Sequence, residues 1–293
     1  MQDKEVLTFK TVTIPYDDSA VIRFLYKTIP GRAILNLITR TPVSKFVGMI
    51  MDSAVSCLLI PGFIKNNNID MEEYEPVKYR SFNEFFERKI KPERRSFKDS
   101  PGEIVAPSDG KLTAYTITTD SAFYVKRSKY SLADLLQDEK LAAEYMGGVC
   151  LIYRLEPTDY HRYAFIDDGE IVAHKKINGV LHTVRPILDC KYNVFARNAR
   201  EYVLLETKNT GKIIQMEVGA LFVGKIVNYK SSGSVERAEE KGLFRFGGST
   251  VIMFFPKDTL DVHAQIFENT QRDEETLVKM GDSIGTNKIP PTV

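Results

Sequence analysis

The sequence predicts an α+β fold, in which a helical N-terminal region precedes a β-rich core. Apolar residues recur at helical spacing before about residue 95, whereas short apolar segments punctuated by Gly, Asn and Asp dominate after about residue 102. The 293 residues are 43% hydrophobic and 27% charged, which is enough apolar surface for a packed core. We therefore expect a helical, amphipathic, membrane-associating region over 1–95 and a β-rich domain over 96–293.

Composition argues against several classes of protein. The net charge is +1 and no long Lys/Arg run occurs, which gives no argument for nucleic-acid binding. Cys57, Cys150 and Cys190 are odd in number and widely spaced, and no CxxC or HExxH motif occurs, so we expect neither a disulfide framework nor a metal. No apolar stretch reaches the ~18–20 residues of a membrane-spanning helix, and we expect no signal peptide.

The first helical region, Ser19–Met51, combines apolar clusters with basic residues and contains no acid. Pro30-Gly31 and Pro42 break it into short helices. Such a set suits a helix lying in a membrane interface, where cations meet anionic headgroups; the alternative is a helical cap packed on its own domain. The basic residues are Arg23, Lys27, Arg32, Arg40 and Lys45, and the apolar ones are Val21, Phe24, Leu25, Ile34, Leu37 and Ile38.

The remaining helices and strands are predicted from N-cap residues, from helix-breaking Pro and Gly, and from the alternation of apolar and polar residues. Ser81 is a helix N-cap before an apolar face, and Pro92 ends that helix. Ser131 caps a second helix, Leu132–Met146, which Gly147-Gly148 stops. The expected strands are Lys111–Thr116, Phe123–Val125, Val149–Leu155, Glu170–His174, Tyr202–Thr207, Ile213–Val218, Leu221–Val227 and Thr250–Phe255.

Ser249 lies in a Gly-Gly-Ser-Thr run directly before the last of these strands. Its hydroxyl can attack the carbonyl of Gly248 if that peptide bond is held in an open, strained geometry, which Gly247 and Gly248 allow. Elimination from the resulting ester and hydrolysis would leave a pyruvoyl group on a new N-terminus at position 249. The plain alternative is a turn before a strand, because Gly and Ser are turn residues.

Asp109 and His161 supply the other side chains that a self-cleaving serine needs. A base must take the serine proton, and a carboxylate can orient that base and stabilise its charge. Taken singly, Asp109 in Pro107-Ser108-Asp109-Gly110 could be a turn cap, and His161 could be a surface residue.

Three motifs in order resemble the pyruvoyl-dependent phosphatidylserine decarboxylases: Val105–Leu112 (VAPSDGKL), Asp159–Arg162 (DYHR) and Glu239–Thr250 (EEKGLFRFGGST). Intermediate stretches also match, and the resemblance runs from roughly residue 20 to the C-terminus. The further matching stretches are Phe82–Arg95 (FNEFFERKIKPERR), Asn198–Leu204 (NAREYVL) and Val218–Ile226 (VGALFVGKI).

The resemblance implies self-cleavage between Gly248 and Ser249, into a β chain 1–248 and an α chain 249–293 that stay associated. The cofactor would be a covalent pyruvoyl group derived from Ser249. It would form a Schiff base with phosphatidylserine and lead to phosphatidylethanolamine and carbon dioxide. Asp109, His161 and Ser249 fall on the family's functional positions. The partners expected from the resemblance are phosphatidylserine and a membrane surface, at the cytoplasmic side of the cell membrane, and a homodimer is left open.

One departure from the family pattern concerns the base. Many members read YHRxH, and their second His is generally assigned as the base, but this chain has Ala164 there. His161 could do both jobs, His182 could supply the missing imidazole, or the chain could stay uncut. We favour retained activity with His161 and His182 both near Ser249.

Three other functions remain open from the sequence. A serine hydrolase could use Ser249, His161 and Asp109 directly, although no GxSxG elbow occurs. A non-catalytic, membrane-associated β module of the biotin/lipoyl type would suit the Gly-punctuated strands of Val218–Ile226, but no attachment lysine stands out. A pyruvoyl decarboxylase could act on a soluble amino acid, although the amphipathic N-terminal region favours lipid.

Overall fold

A computed structural model describes residues 9–13, 24–25, 28–38, 41–95, 97, 102–125, 128–181, 194–220, 226–245 and 249–288. The α-helices are α1 (Ile29–Ile38), α2 (Thr41–Met51), α3 (Ile60–Asn66), α4 (Phe82–Phe86), α5 (Leu132–Leu136), α6 (Glu139–Ala143), α7 (Val194–Arg197) and α8 (Ala264–Gln271). Short 3-10 helices cover Ala54–Leu59, Met71–Glu73 and Pro92–Arg94.

The strands outnumber the helices, which confirms a mixed fold that is mostly sheet. They are β1 (Thr11–Thr13), β2 (Glu103–Val105), β3 (Gly110–Thr116), β4 (Ala122–Val125), β5 (Ser128–Ser131), β6 (Val149–Leu155), β7 (Arg162–Ala164), β8 (Gly169–Ile177), β9 (Arg200–Thr207), β10 (Gly211–Gly219), β11 (Ile226–Asn228), β12 (Gly233–Val235), β13 (Glu240–Phe244), β14 (Ser249–Phe255), β15 (Leu260–Val262), β16 (Glu274–Val278) and β17 (Ser283–Asn287).

A nine-stranded antiparallel sheet forms the centre of the molecule, in the order β1-β16-β3-β6-β14-β10-β9-β8-β12. Strand β14 lies in its middle, and all seven of its residues are buried. A continuous apolar run of this kind is typical of a strand covered on both faces. The first residue of β14 therefore begins in the densest part of the core.

A three-stranded sheet, β11-β13-β7, lies against one face of the central sheet. Two contacts tie the sheets together: Lys241 of β13 pairs with Glu217 of β10, and the amide of Gln215 in β10 donates to the Ala164 carbonyl of β7. A second small sheet, β15-β17-β2, and the β4–β5 hairpin complete the strands. The face between β10 and β13 is where the candidate residues meet.

Strand prediction succeeds where apolar runs are long. Val149–Leu155 is found with the predicted bounds, and Thr250–Phe255 differs only by starting at Ser249. Of the predicted strand Leu221–Val227, residues 221–225 lie outside the described residues, and Ile226–Val227 belong to β11. Short strands such as β7 and β13, which carry charged residues, were not predicted, because three to five mixed residues show no clear alternation.

The predicted helix Leu132–Met146 is wrong in its extent, because it forms two helices, α5 and α6. Ser131 caps the first as expected and accepts from the backbone N–H of Asp134. Gln137 then adopts a left-handed conformation with φ of 49°, which ends α5. Asp138 caps α6 by accepting from the N–H of Leu141. The helix is interrupted because Asp138 is a favourable N-cap residue and starts a second helix.

The described part of the N-terminal region contains strand β1 and helices α1–α4, and it exposes apolar side chains. Pro30 and Pro42 lie in the first turns of α1 and α2, where proline is tolerated. No helix of the described residues is long and apolar enough to cross a membrane. Of the basic set, Arg23, Lys27 and Arg40 lie outside the described residues. The most exposed apolar residues of this region are Ile29, Phe46, Met49, Val55, Leu58 and Leu59.

Strand β1 and helix α4 both help to join this region to the rest of the chain. β1 pairs with β16 at one edge of the central sheet, so residues 11–13 belong to the sheet of the predicted second domain. Ser81 caps α4 by accepting from the Glu84 N–H, and Phe82, Phe85 and Phe86 of this helix are buried together. The Phe86 ring of this helix also contacts His161, which joins α4 to the β-rich part of the chain.

Candidate active site

Ser249 is the first residue of β14 and is fully buried. It lies opposite Gly219 of β10 and Leu155 of β6. The residues before it, Phe246–Gly248, lie outside the described part of the chain. The serine is therefore held between two strands, at the point where the predicted cut would fall.

His161 is the side chain that contacts this serine. Its Nδ1 atom is 3.2 Å from the Ser249 Oγ atom, and its Nε2 atom is 2.9 Å from the Glu156 carbonyl oxygen. A carbonyl oxygen only accepts, so the proton is assigned to Nε2 and the Nδ1 lone pair faces the serine hydroxyl. This is the tautomer that a base for Ser249 needs.

Two aromatic rings enclose the imidazole. The Phe86 ring of α4 lies over it at 4.1 Å between centroids and 30° between planes, and the Phe244 ring of β13 meets it edge-on at 6.4 Å. His161 is only 1% exposed. Burial, aided by the nearby positive charge of Arg88, lowers the pKa of His161 to about 3. The imidazole is therefore neutral and able to accept a proton at physiological pH.

A tight turn over residues 156–159 presents His161 to the serine. The Asp159 N–H donates to the Glu156 carbonyl at 2.9 Å, and the Glu156 N–H donates to the Asp159 carboxylate at 2.7 Å. Lys111 of β3 pairs with the Glu156 carboxylate at 3.0 Å. Burial raises the pKa of Asp159. The turn is thus fixed by its own backbone and by a cation from the central sheet.

Asp109 does not make the contact with His161 that was expected of it. Its carboxylate binds the Arg95 guanidinium through two hydrogen bonds, of 2.8 Å from Nε and 2.6 Å from Nη2, and it accepts the Met280 N–H at 2.8 Å. The fork of an arginine matches a carboxylate in this way, and such a pair leaves few free lone pairs. The Glu156 carbonyl, and not Asp109, therefore orients the imidazole.

Position 164 carries an alanine, so no second imidazole follows His161 at the family spacing. Ala164 is a buried residue of β7 whose N–H donates to the Pro107 carbonyl at 2.9 Å. This bond brings position 164 beside the turn that carries Asp109. His182, the other predicted imidazole, lies outside the described residues. The structure thus brings together Ser249 and His161 from the predicted set.

A buried ion pair shares the face of the central sheet on which the serine lies. Glu217 stands opposite Val251, two residues along β14 from Ser249, so both side chains point to the same face. Its carboxylate pairs with Lys241, and Asn228 donates to it at 3.1 Å. Burial raises the pKa of Glu217 and lowers that of Lys241, while their attraction opposes both shifts.

Sequence reasoning missed the groups that orient His161. The Glu156 carbonyl has no side-chain signature, because every residue carries one. Phe86 lay in a predicted helix as one of several phenylalanines of its apolar face, and nothing marked it as the ring over the imidazole. Lys241 lay in a segment that resembled the family, and Glu217 lay in the predicted strand Ile213–Val218, but their pairing depends on the packing of two sheets.

Comparison with known proteins identifies close relatives. The family model of phosphatidylserine decarboxylase matches residues 82–286. The chain is 45% identical over 265 residues to phosphatidylserine decarboxylase proenzyme 2 of Clostridium acetobutylicum, covering 90% of this chain and 91% of that protein. It is 40% identical over 271 residues to the phosphatidylserine decarboxylase proenzyme of Ruminiclostridium cellulolyticum, covering 90% of each. It is 41% identical over 270 residues to that of Clostridium perfringens, covering 90% and 92%.

Proposed function

The chain belongs to the phosphatidylserine decarboxylase family, and on this basis we propose that it converts phosphatidylserine to phosphatidylethanolamine and carbon dioxide. The proposal includes self-cleavage between Gly248 and Ser249 to form the pyruvoyl group. The observation that carries it is the 3.2 Å contact between the Ser249 hydroxyl and the unprotonated Nδ1 of His161, both of which are buried.

Self-cleavage follows from this contact. His161 takes the Ser249 hydroxyl proton at Nδ1 while Oγ attacks the Gly248 carbonyl carbon, and the same proton then goes to the departing amine of residue 249 as the peptide bond breaks. The product is an ester between Gly248 and Ser249. Loss of the Ser249 Cα proton breaks the bond between Cβ and Oγ, releasing the Gly248 carboxylate. Water then replaces the amine nitrogen of residue 249, which leaves as ammonia.

The position of Ser249 fits a pyruvoyl group. The group would begin β14 in a buried space that Gly219 borders from β10 without a side chain. When present, it would supply a carbonyl that holds the substrate amine and accepts the electrons freed as carbon dioxide leaves. His161 would present its unprotonated Nδ1 beside this position, and the Phe86 and Phe244 rings shield the imidazole from solvent.

The two fragments would remain associated after the cut. Strand β14 of 249–293 is hydrogen-bonded on both sides, to β10 and β6 of 1–248. The buried pair between Arg154 and Glu275 also joins the fragments, through Nε–Oε1 and Nη2–Oε2 contacts of 2.8 and 2.5 Å. Extraction of β14 would expose a core strand, so the fragments form a stable heterodimer. A further pairing of two copies stays a prediction, checked by sedimentation velocity.

The N-terminal helices are proposed to dock on the cytoplasmic face of the cell membrane. Their exposed apolar residues include Leu58, which is 81% exposed, and Met49. A cavity of about 410 Å³ opens among apolar side chains of the same region, which include Met51, Leu59, Phe63 and Phe82. Apolar side chains that sink into the acyl boundary give reversible membrane binding.

Docking is tested by sedimentation with vesicles that contain phosphatidylserine. Leu58→Glu should reduce the bound fraction, because a carboxylate replaces an apolar contact with the bilayer and is repelled by the anionic surface. Val172→Glu is the control, because Val172 is exposed but lies on β8 of the central sheet. Equal binding by the two variants would contradict docking through this face.

Intact mass under denaturing conditions tests the main proposal. The chain should give two fragments that break before residue 249, the smaller with a blocked N-terminus, and Ser249→Ala should remain at 33.3 kDa. Carbon dioxide release from phosphatidylserine in detergent micelles should follow the cut form only. An uncut chain that reacts with a serine-directed phosphonate would favour a hydrolase instead, and release only from a soluble amino acid would remove the lipid substrate.

A further inference from the structure

Three consecutive residues at the end of α4 contact the parts of the chain that form the site. The Phe86 ring covers His161. The Glu87 carbonyl accepts two hydrogen bonds from the guanidinium of Arg162, the neighbour of His161, at 3.0 and 2.7 Å. Arg88 donates from Nη2 to the carbonyl of Thr158, within the turn that precedes His161, at 3.0 Å. The site is thus supported from the N-terminal region by one short segment.

Arg88 differs from its neighbours in being a buried charge with neutral partners. It is 2% exposed, and its partners besides Thr158 are the hydroxyl of Tyr74 at 3.2 Å and the carbonyl of Phe85 at 3.5 Å. Its guanidinium carbon lies 4.4 Å from the Tyr74 ring centre and 4.9 Å from that of Phe85. Within the described ranges, no carboxylate lies at ion-pair distance from it.

A buried cation without a counter-ion is costly, and an apolar side chain of similar volume would fill the same space more cheaply. Packing alone therefore does not account for Arg88. Its hydrogen bond to the described residues 156–161, which form the turn and His161, goes to the Thr158 carbonyl. That residue lies between Glu156, whose carbonyl accepts from His161, and His161 itself.

We propose that Arg88 is a positioning residue for His161. By holding the Thr158 carbonyl, it fixes the turn so that Nε2 stays on the Glu156 carbonyl and Nδ1 points at the Ser249 hydroxyl. The inference rests on the proposed function, in which His161 is the base for self-cleavage. Arg88 acts through the turn and does not touch the reacting atoms.

The charge of Arg88 acts on the resting protonation state of His161. The groups that face the imidazole are Ser249 from β14, Phe244 from β13, Phe86 and Arg88 from the α4 segment, and the Glu156 carbonyl from its own turn. Arg88 is the charged group among them. After burial, its charge is the next cause that lowers the pKa of His161. A neighbouring cation disfavours imidazolium and so preserves the acceptor at Nδ1.

The imidazole is observed directly by ¹⁵N NMR of full-length Ser249→Ala, which can neither cut itself nor form the cofactor. His161→Asn assigns its signals. The parent should show the Nε2-protonated tautomer down to pH 5. Arg88→Met should mix the tautomers and raise the titration midpoint by about one pH unit or more, whereas Arg88→Lys, which keeps a charge and a donor, should recover most of the parent signal. Unchanged His161 signals in Arg88→Met would overturn the proposal.

Arg200→Met is the matched control for this spectrum. Arg200 is also buried and also donates to carbonyls, those of Leu135, Ala196 and Asp134. It stands opposite Val218, which pairs with Thr250, so its side chain lies on the sheet face away from Ser249. Its loss should lower stability and leave the His161 signals unchanged; a matching shift in this control would show a general structural effect and overturn the proposal.

The cleavage rate separates this inference from the proposed function. With Ser249 intact, Arg88→Met should slow the appearance of the 249–293 fragment by about 10²-fold, the cost of misplacing a reacting group by an ångström. If the parent chain never cuts, the proposed function fails while the NMR result on Arg88 stands. If the parent cuts and Arg88→Met cuts equally fast, the positioning role fails. Near-UV circular dichroism checks folding, and Arg88→Gln, which removes the charge and shortens the reach to the Thr158 carbonyl, replaces Arg88→Met in both readouts if Arg88→Met does not fold.

Discussion

Two buried polar pairs, which between them contain all three residues of the predicted triad, are built in opposite ways. Ser249 and His161 are neutral, 3.2 Å apart and enclosed by phenylalanine rings. Asp109 and Arg95 are charged and joined by two short hydrogen bonds, and Glu73 adds a second carboxylate to Arg95 at 3.3 Å. Burial lowers the pKa of His161, whereas the Asp109 and Glu73 carboxylates raise that of Arg95.

The neutral pair is suited to proton transfer, whereas the charged pair is suited to holding segments together. A neutral imidazole can take a proton, because its lone pair faces a hydroxyl and no charge must be buried at rest. A bidentate ion pair has its lone pairs already engaged, and Asp109 uses its remaining contact to hold the Met280 N–H, beyond the predicted cut. We infer that Asp109 fastens three segments around the site, while His161 performs the proton transfer.

Removing the imidazole should have the largest effect. His161→Ala should slow self-cleavage by about 10²–10⁴-fold, because no other described group contacts the Ser249 hydroxyl. A time course of the 249–293 fragment measures this. His174→Ala is the control, since His174 pairs with Glu201 at 2.7 Å on β8 and β9. His182→Ala should cleave itself at a rate within a few-fold of that of the parent. A rate as low as that of His161→Ala would show that His182 is the base.

Breaking the charged pair should mainly reduce stability. Asp109→Asn leaves the Arg95 guanidinium with only Glu73, and loss of one partner of a buried pair costs about 3 kcal/mol. Urea unfolding, with Ser249→Ala in parent and variant, measures it. The cleavage rate of Asp109→Asn with Ser249 intact should stay within about tenfold of the parent, well above that of His161→Ala. Normal stability with arrested cleavage would show that Asp109 takes part in the chemistry.

Lowering the pH should reduce the stability of the fold, because His161 is buried as a neutral imidazole. The pKa of His161 is about 3 in the folded chain and 6.5 ordinarily, so between these values the unfolded chain binds the extra proton. This contribution is constant above pH 6.5 and is lost as pH falls from 6.5 toward 3. At pH 5 the loss is about 2 kcal/mol. In the Ser249→Ala background, His161→Gln should unfold with a weaker pH dependence over this window; identical slopes would contradict a buried neutral imidazole.

Adding an imidazole beside Asp109 should have the smallest effect. Ala164→His, made in His161→Ala, restores the family spacing in a position that is 2% exposed. Overpacking costs about 1–3 kcal/mol, and Asp109 remains bound to Arg95, so we expect at most about tenfold recovery of the cleavage rate. Ala164→Gln in the same background controls for volume. Full recovery would show that Asp109 is free to orient a base.

Sequence reasoning predicted those parts of the fold that local chemistry specifies. Val149–Leu155 and the caps Ser81 and Ser131 were predicted correctly, because an apolar run and a hydroxyl before a helix act over a few residues. The helix after Ser131 was predicted too long, because the competing cap at Asp138 was not weighed. Asp109, His161 and Ser249 were identified as a set by residue type and by resemblance.

The sequence by itself thus determined which residues are available for chemistry, the apolar strand that follows Ser249, and the absence of an imidazole at Ala164. Only the tertiary structure decided their partners: His161 with Ser249 and the Glu156 carbonyl, and Asp109 with Arg95. The physical reason is that a hydrogen bond depends on ångström distances between distant segments, and a backbone carbonyl acceptor is the same in every residue type. Such choices follow from how strands and turns pack.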